Sequence, residues 1–339
     1  MSTTRMAPDL RARLRSLPRL GLLHGPTALE PLPRLSADLG REVWIKREDL
    51  TPVGLGGNKV RKLDLILGED RRHDLVITRG GIQSNHCRLT AAVAARLGIA
   101  CALVLTGNRP QDLRGNLLLS HLFGARIHYV GEVSDAEADE AMEALARVHR
   151  EQGGRPVLVP LGGANALGVL AYAEAAVELA DQCAERDLRP SVVIVAVGTG
   201  STCAGLALGT AAVLPGCQVV GISVSRPRAR LLREIPELVA AAWARLGGEP
   251  SVQTAVQIYD DYVGPGYARP SGAGLDAIQR LARLDGLLVD STYTGKALAG
   301  LIDLCRRRAL PSDGPVVFIH TGGVPELFAL DPSVWSGRG

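Results

Sequence analysis

The chain has 339 residues, 46% of them apolar and 22% charged, with a net charge of +3. That length supports one large domain or two smaller ones around a sizeable core, and the balance is that of an ordinary globular protein. With so small a charge, no Lys/Arg block and only 4% aromatic residues, a nucleic-acid surface is not expected, and no apolar run reaches bilayer length.

The first segment, Met1 to Leu20, is rich in Arg and Pro and lacks the apolar stretch of a secretory signal. The six cysteines, Cys87, Cys101, Cys183, Cys203, Cys217 and Cys305, form no CxxC pair. They read as reduced, mostly buried thiols of a cytoplasmic protein. From Val43 on, short apolar runs alternate with Ala/Leu-rich segments. Strands are predicted at 75–79, 101–105, 156–160, 192–197, 218–224 and 315–320. Helices are predicted at 87–97, 135–150, 167–185, 201–213, 226–245, 271–284 and 295–308. This alternation is the pattern of an α/β fold with a parallel sheet covered on both faces. Residues 262–274, rich in Gly, Pro and Tyr, read as a long loop of the kind that often carries function.

Three strand ends run into glycine-containing loops and then into expected helices: Gly80-Gly81-Ile82-Gln83-Ser84-Asn85-His86, Gly198-Thr199-Gly200-Ser201-Thr202, and Thr321-Gly322-Gly323. Glycine lets backbone approach a ligand closely, and the N–H groups of a following helix start favour an anion. Ligands of open parallel sheets collect at the carboxyl ends of the strands. Together the loops suit a lone phosphate monoester. The 198–202 loop lacks a dinucleotide fingerprint, because Cys203 stands where a third small residue is wanted. Arg226 at the end of the next strand keeps an NADP site as the alternative. No Gly-Lys-Ser/Thr occurs, which excludes a Walker A loop.

The only lysines are Lys46, Lys59, Lys62 and Lys296. In Gly56-Gly57-Asn58-Lys59-Val60-Arg61-Lys62, glycines before a helix start let a lysine emerge into a cleft. A lysine desolvated near other cations becomes a nucleophile for carbonyls; the plain alternative is a basic first turn on a surface helix. The seven histidines show no metal-ligand spacing, and Ser84 is not in a Gly-x-Ser-x-Gly elbow. His86 and His320 lie beside the loops, and a structural role is the expectation for each.

Taken together, these residues resemble the family that contains D-cysteine desulfhydrase and 1-aminocyclopropane-1-carboxylate (ACC) deaminase. The matching motifs run from Leu17-Pro18-Arg19-Leu20 through Trp44-Ile45-Lys46-Arg47-Glu48-Asp49-Leu50, Gly56-Gly57-Asn58-Lys59, Gln83-Ser84-Asn85-His86, Leu161-Gly162-Gly163-Ala164-Asn165 and Gly200-Ser201-Thr202. They end with Tyr293-Thr294-Gly295-Lys296 and His320-Thr321-Gly322-Gly323. The resemblance implies a fold type II, tryptophan-synthase-β-like enzyme that uses pyridoxal 5′-phosphate. It implies a large cofactor-binding domain from 1–56 and 171–339, a smaller α/β domain inserted at 57–170, and a homodimer. Lys59 would carry the cofactor as a Schiff base, with Asn58 beside it. Gly198, Thr199, Gly200, Ser201 and Thr202 would cradle the phosphate, and Asn85 would meet the 3′-oxygen. Ser84 would sit over the substrate carboxylate or the Cα proton. Tyr293 would pack on the cofactor ring, Tyr267 would reach the substrate, and Thr321 would face the pyridine nitrogen.

The implied reaction is β-elimination on a small amino acid. Alternatives are ACC deamination, carbon–sulfur cleavage of L-cysteate or a specialised metabolite, and a non-enzymatic cofactor carrier. The family's ACC deaminases place Glu after the stacking tyrosine, where this chain has Thr294, which favours the desulfhydrase branch. The chain also departs from the family's pattern at Pro26-Thr27-Ala28-Leu29, at Gly80-Gly81-Ile82 and Cys87-Arg88, and at Asp290-Ser291-Thr292-Tyr293, where Asp-Pro-Val-Tyr is common.

Overall fold

The computed structural model describes residues 3–248, 255–311 and 314–336. The chain opens with helix α1 (Thr3–Arg15), strand β1 (Leu29–Pro31), helix α2 (Pro33–Leu39) and strand β2 (Val43–Lys46). Then follow α3 (Lys59–Ile66), β3 (Leu75–Gly81), α4 (Asn85–Leu97), β4 (Ala100–Thr106), α5 (Gly115–Leu122), β5 (Arg126–Gly131), α6 (Asp135–Glu151) and β6 (Pro156–Leu158). The rest comprises α7 (Ala166–Glu185), β7 (Val192–Val197), α8 (Ser201–Val213), β8 (Gln218–Ser223), α9 (Arg228–Arg245), β9 (Val256–Tyr259), α10 (Gly272–Asp285), α11 (Thr294–Arg306) and β10 (Val316–Ile319).

Among the described residues the strands form two sheets. A six-stranded sheet has the order β1-β2-β10-β7-β8-β9, and a four-stranded sheet the order β5-β4-β3-β6. Every pairing is parallel except β1 with β2. All six residues of β7 are buried, as a strand covered on both faces requires. The expected helices appear with their ends fixed by local chemistry. Ser134 and Glu137 form a capping box at the start of α6, and Gly98 and Gly286 close α4 and α10 in the left-handed conformation. The loop after β10 departs from expectation: it leads into a short 3₁₀ turn, Val324–Ala329, and not an α-helix. The expected loop at 262–274 gives way to α10 at Gly272.

The Trp44–Leu50 motif has a structural purpose. Glu48 is fully buried and accepts from Arg61 Nε at 2.6 Å and Nη2 at 2.9 Å, from Thr27 Oγ1 at 2.7 Å and from Tyr172 Oη at 2.8 Å. Glu178 on α7 accepts from Arg61 at 2.9 Å and also from Lys46. Arg61 lies on α3, two residues beyond Lys59, so this network sets the seat of that helix. Burial works against the Glu48 charge, but Arg61 and Lys46 overcome it and hold the carboxyl down at about 2. Breaking a buried pair by removing one partner strands the other charge. Glu48→Ala is therefore expected to lower stability by about 3–5 kcal/mol, read from the shift in the urea unfolding midpoint. A loss below about 1 kcal/mol, the range of exposed pairs, would contradict this account.

Candidate active site

The carboxyl ends of β3, β7 and β10 converge on a cavity of about 320 Å³ lined by Lys59, Asn58, Ser84, Asn85, Gly198, Thr199, Gly200, Thr202, Tyr267, Tyr293 and Thr321. Eleven of the twelve residues singled out in the sequence thus line one cavity. Ser201 is the exception: its Oγ is fully buried and receives Lys62 Nζ at 2.7 Å.

The four lysines separate sharply by environment. Lys46 Nζ bonds Glu178, Thr27 O and Gln182 Oε1. Lys62 Nζ reaches Ser201 Oγ and Gly162 O and lies 5.8 Å from the Tyr172 ring centroid. Lys296 Nζ holds the carbonyls of Val263 and Gly266 at 2.8 and 2.7 Å, so it tethers the loop that carries Tyr267. Lys59 makes no side-chain hydrogen bond or ion pair among the described residues, and burial alone lowers its amine to about 8. A fair fraction of that amine is uncharged near neutral pH, the form that attacks carbonyls.

The loops around Lys59 are tied to one another. Asn58 N donates to Thr321 O at 3.0 Å, and Asn58 Nδ2 donates to Thr202 Oγ1 at 3.0 Å. The Gly57 and Gly322 backbones cross so closely that a Cβ on Gly322 would lie 2.7 Å from Gly57 Cα. Ser84 caps α4 by accepting from Cys87 N at 3.2 Å, which leaves its hydroxyl proton available to a ligand. Asn85 Oδ1 accepts from Asn116 Nδ2 at 2.9 Å, and Asn85 Nδ2 faces Asp290 Oδ2 at 3.4 Å. Tyr293 Oη donates to Tyr267 Oη at 2.9 Å, with the rings edge-on at 75°. Burial raises the Tyr293 phenol well above its ordinary value, so it stays protonated.

Opposite Lys59, Gly200 turns the chain into α8 with φ of 92°. The first N–H groups of a helix have no partner within it, and they face a cavity supplied with the hydroxyls of Thr199 and Thr202. Donors without a fixed charge, set around a glycine bend, fit a phosphate monoester. The unpartnered Lys59 amine fits a carbonyl carrier. The residues present therefore suit pyridoxal phosphate.

Other groups stand around these residues. Arg79, Arg226 and Arg230 line the cavity rim. Arg79 is paired with Asp135 and Asp139, and the other two with Glu234. Arg88 is fully buried without a carboxylate; it donates to the carbonyls of Gly54 and Gly56 and to Asn116 Oδ1. Burial brings it down to about 10. It thereby binds α4 to the bend that precedes Lys59. Cys203 lines the cavity and Cys87 is buried beneath Ser84; burial pushes both thiols up to about 12. His320 is satisfied at both ring nitrogens, by Leu288 O and Gly322 N–H. His86 bonds Thr78 Oγ1 at 2.8 Å through Nε2, while its buried Nδ1 has no hydrogen-bond partner.

The two-sheet architecture with a lysine-bearing cleft is that of fold type II pyridoxal-phosphate enzymes, and the family model described as "Pyridoxal-phosphate dependent enzyme" matches residues 20–322. The chain belongs to that family. It is 44% identical over 329 residues to the D-cysteine desulfhydrases of Salmonella newport (strain SL254) and Salmonella choleraesuis (strain SC-B67); for the former the match covers 95% of this chain and 98% of the relative. A crystal structure of an ACC deaminase homologue superposes with a TM-score of 0.88 at 35% identity, covering 96% of this chain and 97% of the other. A serine racemase from maize shares the fold at 18% identity, with a TM-score of 0.68 over 98% of this chain and 96% of that one.

Gly200 provides a test of the phosphate cradle. A valine there would have to adopt a positive φ, and its Cβ would lie 3.3 Å from Ile235 Cγ1. Strain of that kind costs about 1–3 kcal/mol. Gly200→Val should weaken pyridoxal phosphate binding to the apoprotein roughly 5- to 150-fold, measured by fluorescence titration. An unchanged affinity would place the cradle elsewhere.

Proposed function

We propose that the protein is a pyridoxal-phosphate dependent lyase of the D-cysteine desulfhydrase type. It would act on a small amino acid by β-elimination and, with uptake of water, yield pyruvate, ammonia and sulfide or another leaving group. The observation that carries this reading is the Lys59 amine, alone among the four lysines in having no partner among the described residues and facing the 198–202 bend across the cavity. The cofactor, when bound, supplies an electron sink for the charge developed at Cα.

Lys59 would hold the cofactor through its amine, and its Nζ would take the Cα proton of the substrate. The start of α8 and the hydroxyls of Thr199 and Thr202 hold the phosphate. Ser84 Oγ and the N–H groups at the start of α4 orient the substrate carboxylate. Asn85 would serve the 3′-oxygen of the cofactor, Tyr293 its ring face, and Tyr267 would reach the substrate. Thr321, which faces the pyridine nitrogen in this reading, carries no charge. Thr294 is turned to Asp290, with its Oγ1 2.8 Å from Oδ1. Neither threonine stabilises a pyridinium as a carboxylate would. That suits expulsion of a thiolate, a good leaving group, better than the opening of a cyclopropane.

Segment 57–170 forms the smaller of two units in this reading, supported by a four-stranded sheet that lies entirely between Leu75 and Leu158. The partner is a second copy of the chain. An apolar groove of about 640 Å³ runs between the Leu50–Gly56 bend, α5 and the 324–329 turn, and exposed Leu50, Leu55 and Phe328 line it. Large exposed apolar patches mark interaction surfaces. Six free cysteines suit a cytoplasmic setting, and no helix among the described residues is long and apolar enough to cross a membrane.

Two experiments test the enzyme. Borohydride reduction followed by peptide mapping should find the cofactor on Lys59, and a label on Lys46, Lys62 or Lys296 would sink the assignment. Lys59→Ala should lower turnover roughly 10²- to 10⁴-fold. D-Cysteine, L-cysteine, L-cysteate and ACC assayed side by side identify the substrate; faster 2-oxobutanoate release from ACC than pyruvate release from any cysteine-like compound would favour the deaminase reading. For assembly, light scattering should show a dimer, and Phe328→Glu should shift it toward monomer. A monomeric wild-type protein would exclude this interface.

A further inference from the structure

The departure Asp290-Ser291-Thr292-Tyr293 has a partner 35 residues downstream of Ser291. Ser291 Oγ donates to Glu326 Oε1 at 2.9 Å, and Thr292 Oγ1 donates to the same oxygen. Glu326, in the turn that follows Thr321-Gly322-Gly323, is only 3% exposed. Asp290, the residue before Ser291, is fully buried, and its carboxylate packs against Gly323 at the opening of the Glu326 turn. Neither carboxylate forms an ion pair among the described residues: Lys296 is committed to Val263 O and Gly266 O, and His320 to Leu288 O and Gly322 N–H.

Two adjoining buried carboxylates with no cation paired to either disfavour joint ionisation. Asp290 Oδ1 takes Tyr293 N–H at 2.9 Å, Thr294 N–H at 2.5 Å and Thr294 Oγ1 at 2.8 Å. Three donors on one oxygen favour the charged form, so Asp290 keeps the charge. Glu326 Oε2 is buried and has no partner. A proton on Glu326 removes the repulsion between the two carboxyls.

We infer that Asp290 and Glu326 share one proton and act as a positioning pair that holds Asn85 and Tyr293 in place at the cavity. This rests on reading the cavity as the catalytic site. Asp290 Oδ2 faces Asn85 Nδ2 and its Oδ1 receives the Tyr293 amide, so both cavity residues take their orientation from this carboxylate. Ser291 and Thr292 hold Glu326 beside it. Burial and the Asp290 charge raise Glu326 to about 8, against which the two hydroxyls work. The ionisable groups around it are Asp290 ahead of α11, Tyr293 and Lys296 at the start of α11, Tyr267 in the tethered loop, and His320 beyond β10. Helix α5, packed on the same turn, presents Gly115 there.

The sign of the pH effect follows. The native state binds the Glu326 proton more tightly than the unfolded chain does, so its contribution to stability is full below about 4.5 and is lost as pH rises to about 8. In the apoprotein, Glu326→Gln should remove this loss. Its Tm should rise relative to wild type by roughly a few degrees between pH 5 and pH 9. Infrared difference spectra should show a neutral carboxylic acid carbonyl at pH 7 that is absent from E326Q. Ser291→Ala removes one donor from the charged form and should move the midpoint of the wild-type effect to higher pH. In the holoenzyme, Glu326→Ala should lower kcat about tenfold with KM little changed, and E326Q should recover most of it. A Tm difference between wild type and E326Q that is independent of pH, or an infrared carbonyl that persists in E326Q, would overturn the shared proton. Equal kcat loss in E326A and E326Q would overturn the positioning role. The apoprotein measurements involve neither cofactor nor substrate, whereas the functional reading stands or falls with the label on Lys59, so the two failures are distinguishable.

Discussion

The structure depends on Arg61. Its guanidinium is buried between Glu48 and Glu178, at 2.6 and 2.9 Å, and these carboxylates belong to the segment after β2 and to α7. A buried cation of this kind leaves its helix little freedom, because each displacement breaks several charge-assisted hydrogen bonds at once. Helix α3 is short, only eight residues, and has little intrinsic stability of its own. The network does for α3 what length does for longer helices, and it fixes the helix at the end that carries Lys59.

From that seat the site is assembled by crossings rather than by any single element. Lys59 opens α3, the 198–202 bend opens α8, Asn85 opens α4 and Tyr293 precedes α11. Each of these four stands at or beside a helix start, where the backbone is freest to donate. Asn58, Arg88 and Lys296 fasten one loop to the next through backbone carbonyls or side-chain oxygens. None of these three bonds is formed with a carboxylate.

Much of this was legible in the residues. The alternation of apolar runs with Ala/Leu-rich segments exposed the α/β class, because buried parallel strands are apolar throughout and need no alternation. The glycine loops were legible because a tight bend at a strand end demands glycine. The division into two sheets was carried by the family resemblance and not by periodicity, since strands of either sheet read as the same apolar run. The first helix, Thr3–Arg15, was hidden by Arg and Pro in its sequence; it buries Leu10 and Leu14. Ser201 fell outside the cavity because one residue at a helix start turns its side chain about 100° from the next. The burial of Arg88, Glu326 and the Glu48–Arg61 pair was not legible. A buried charge is recognised by its partner, and the partners here stand 13 to 35 residues away in sequence.

Cys203 and Cys87 bring out a further property of the cavity. Attack on an electrophile by cysteine requires the thiolate, and thiols raised to about 12 hold almost none of it near neutral pH. The Lys59 amine at about 8 is several orders of magnitude richer in its reactive form. The site is therefore chemoselective: sulfur lies close by, but an aldehyde or another electrophile entering the cavity meets nitrogen as the competent nucleophile. The ordinary ranking of thiol over amine is inverted by burial alone, without any group dedicated to protecting the cysteines.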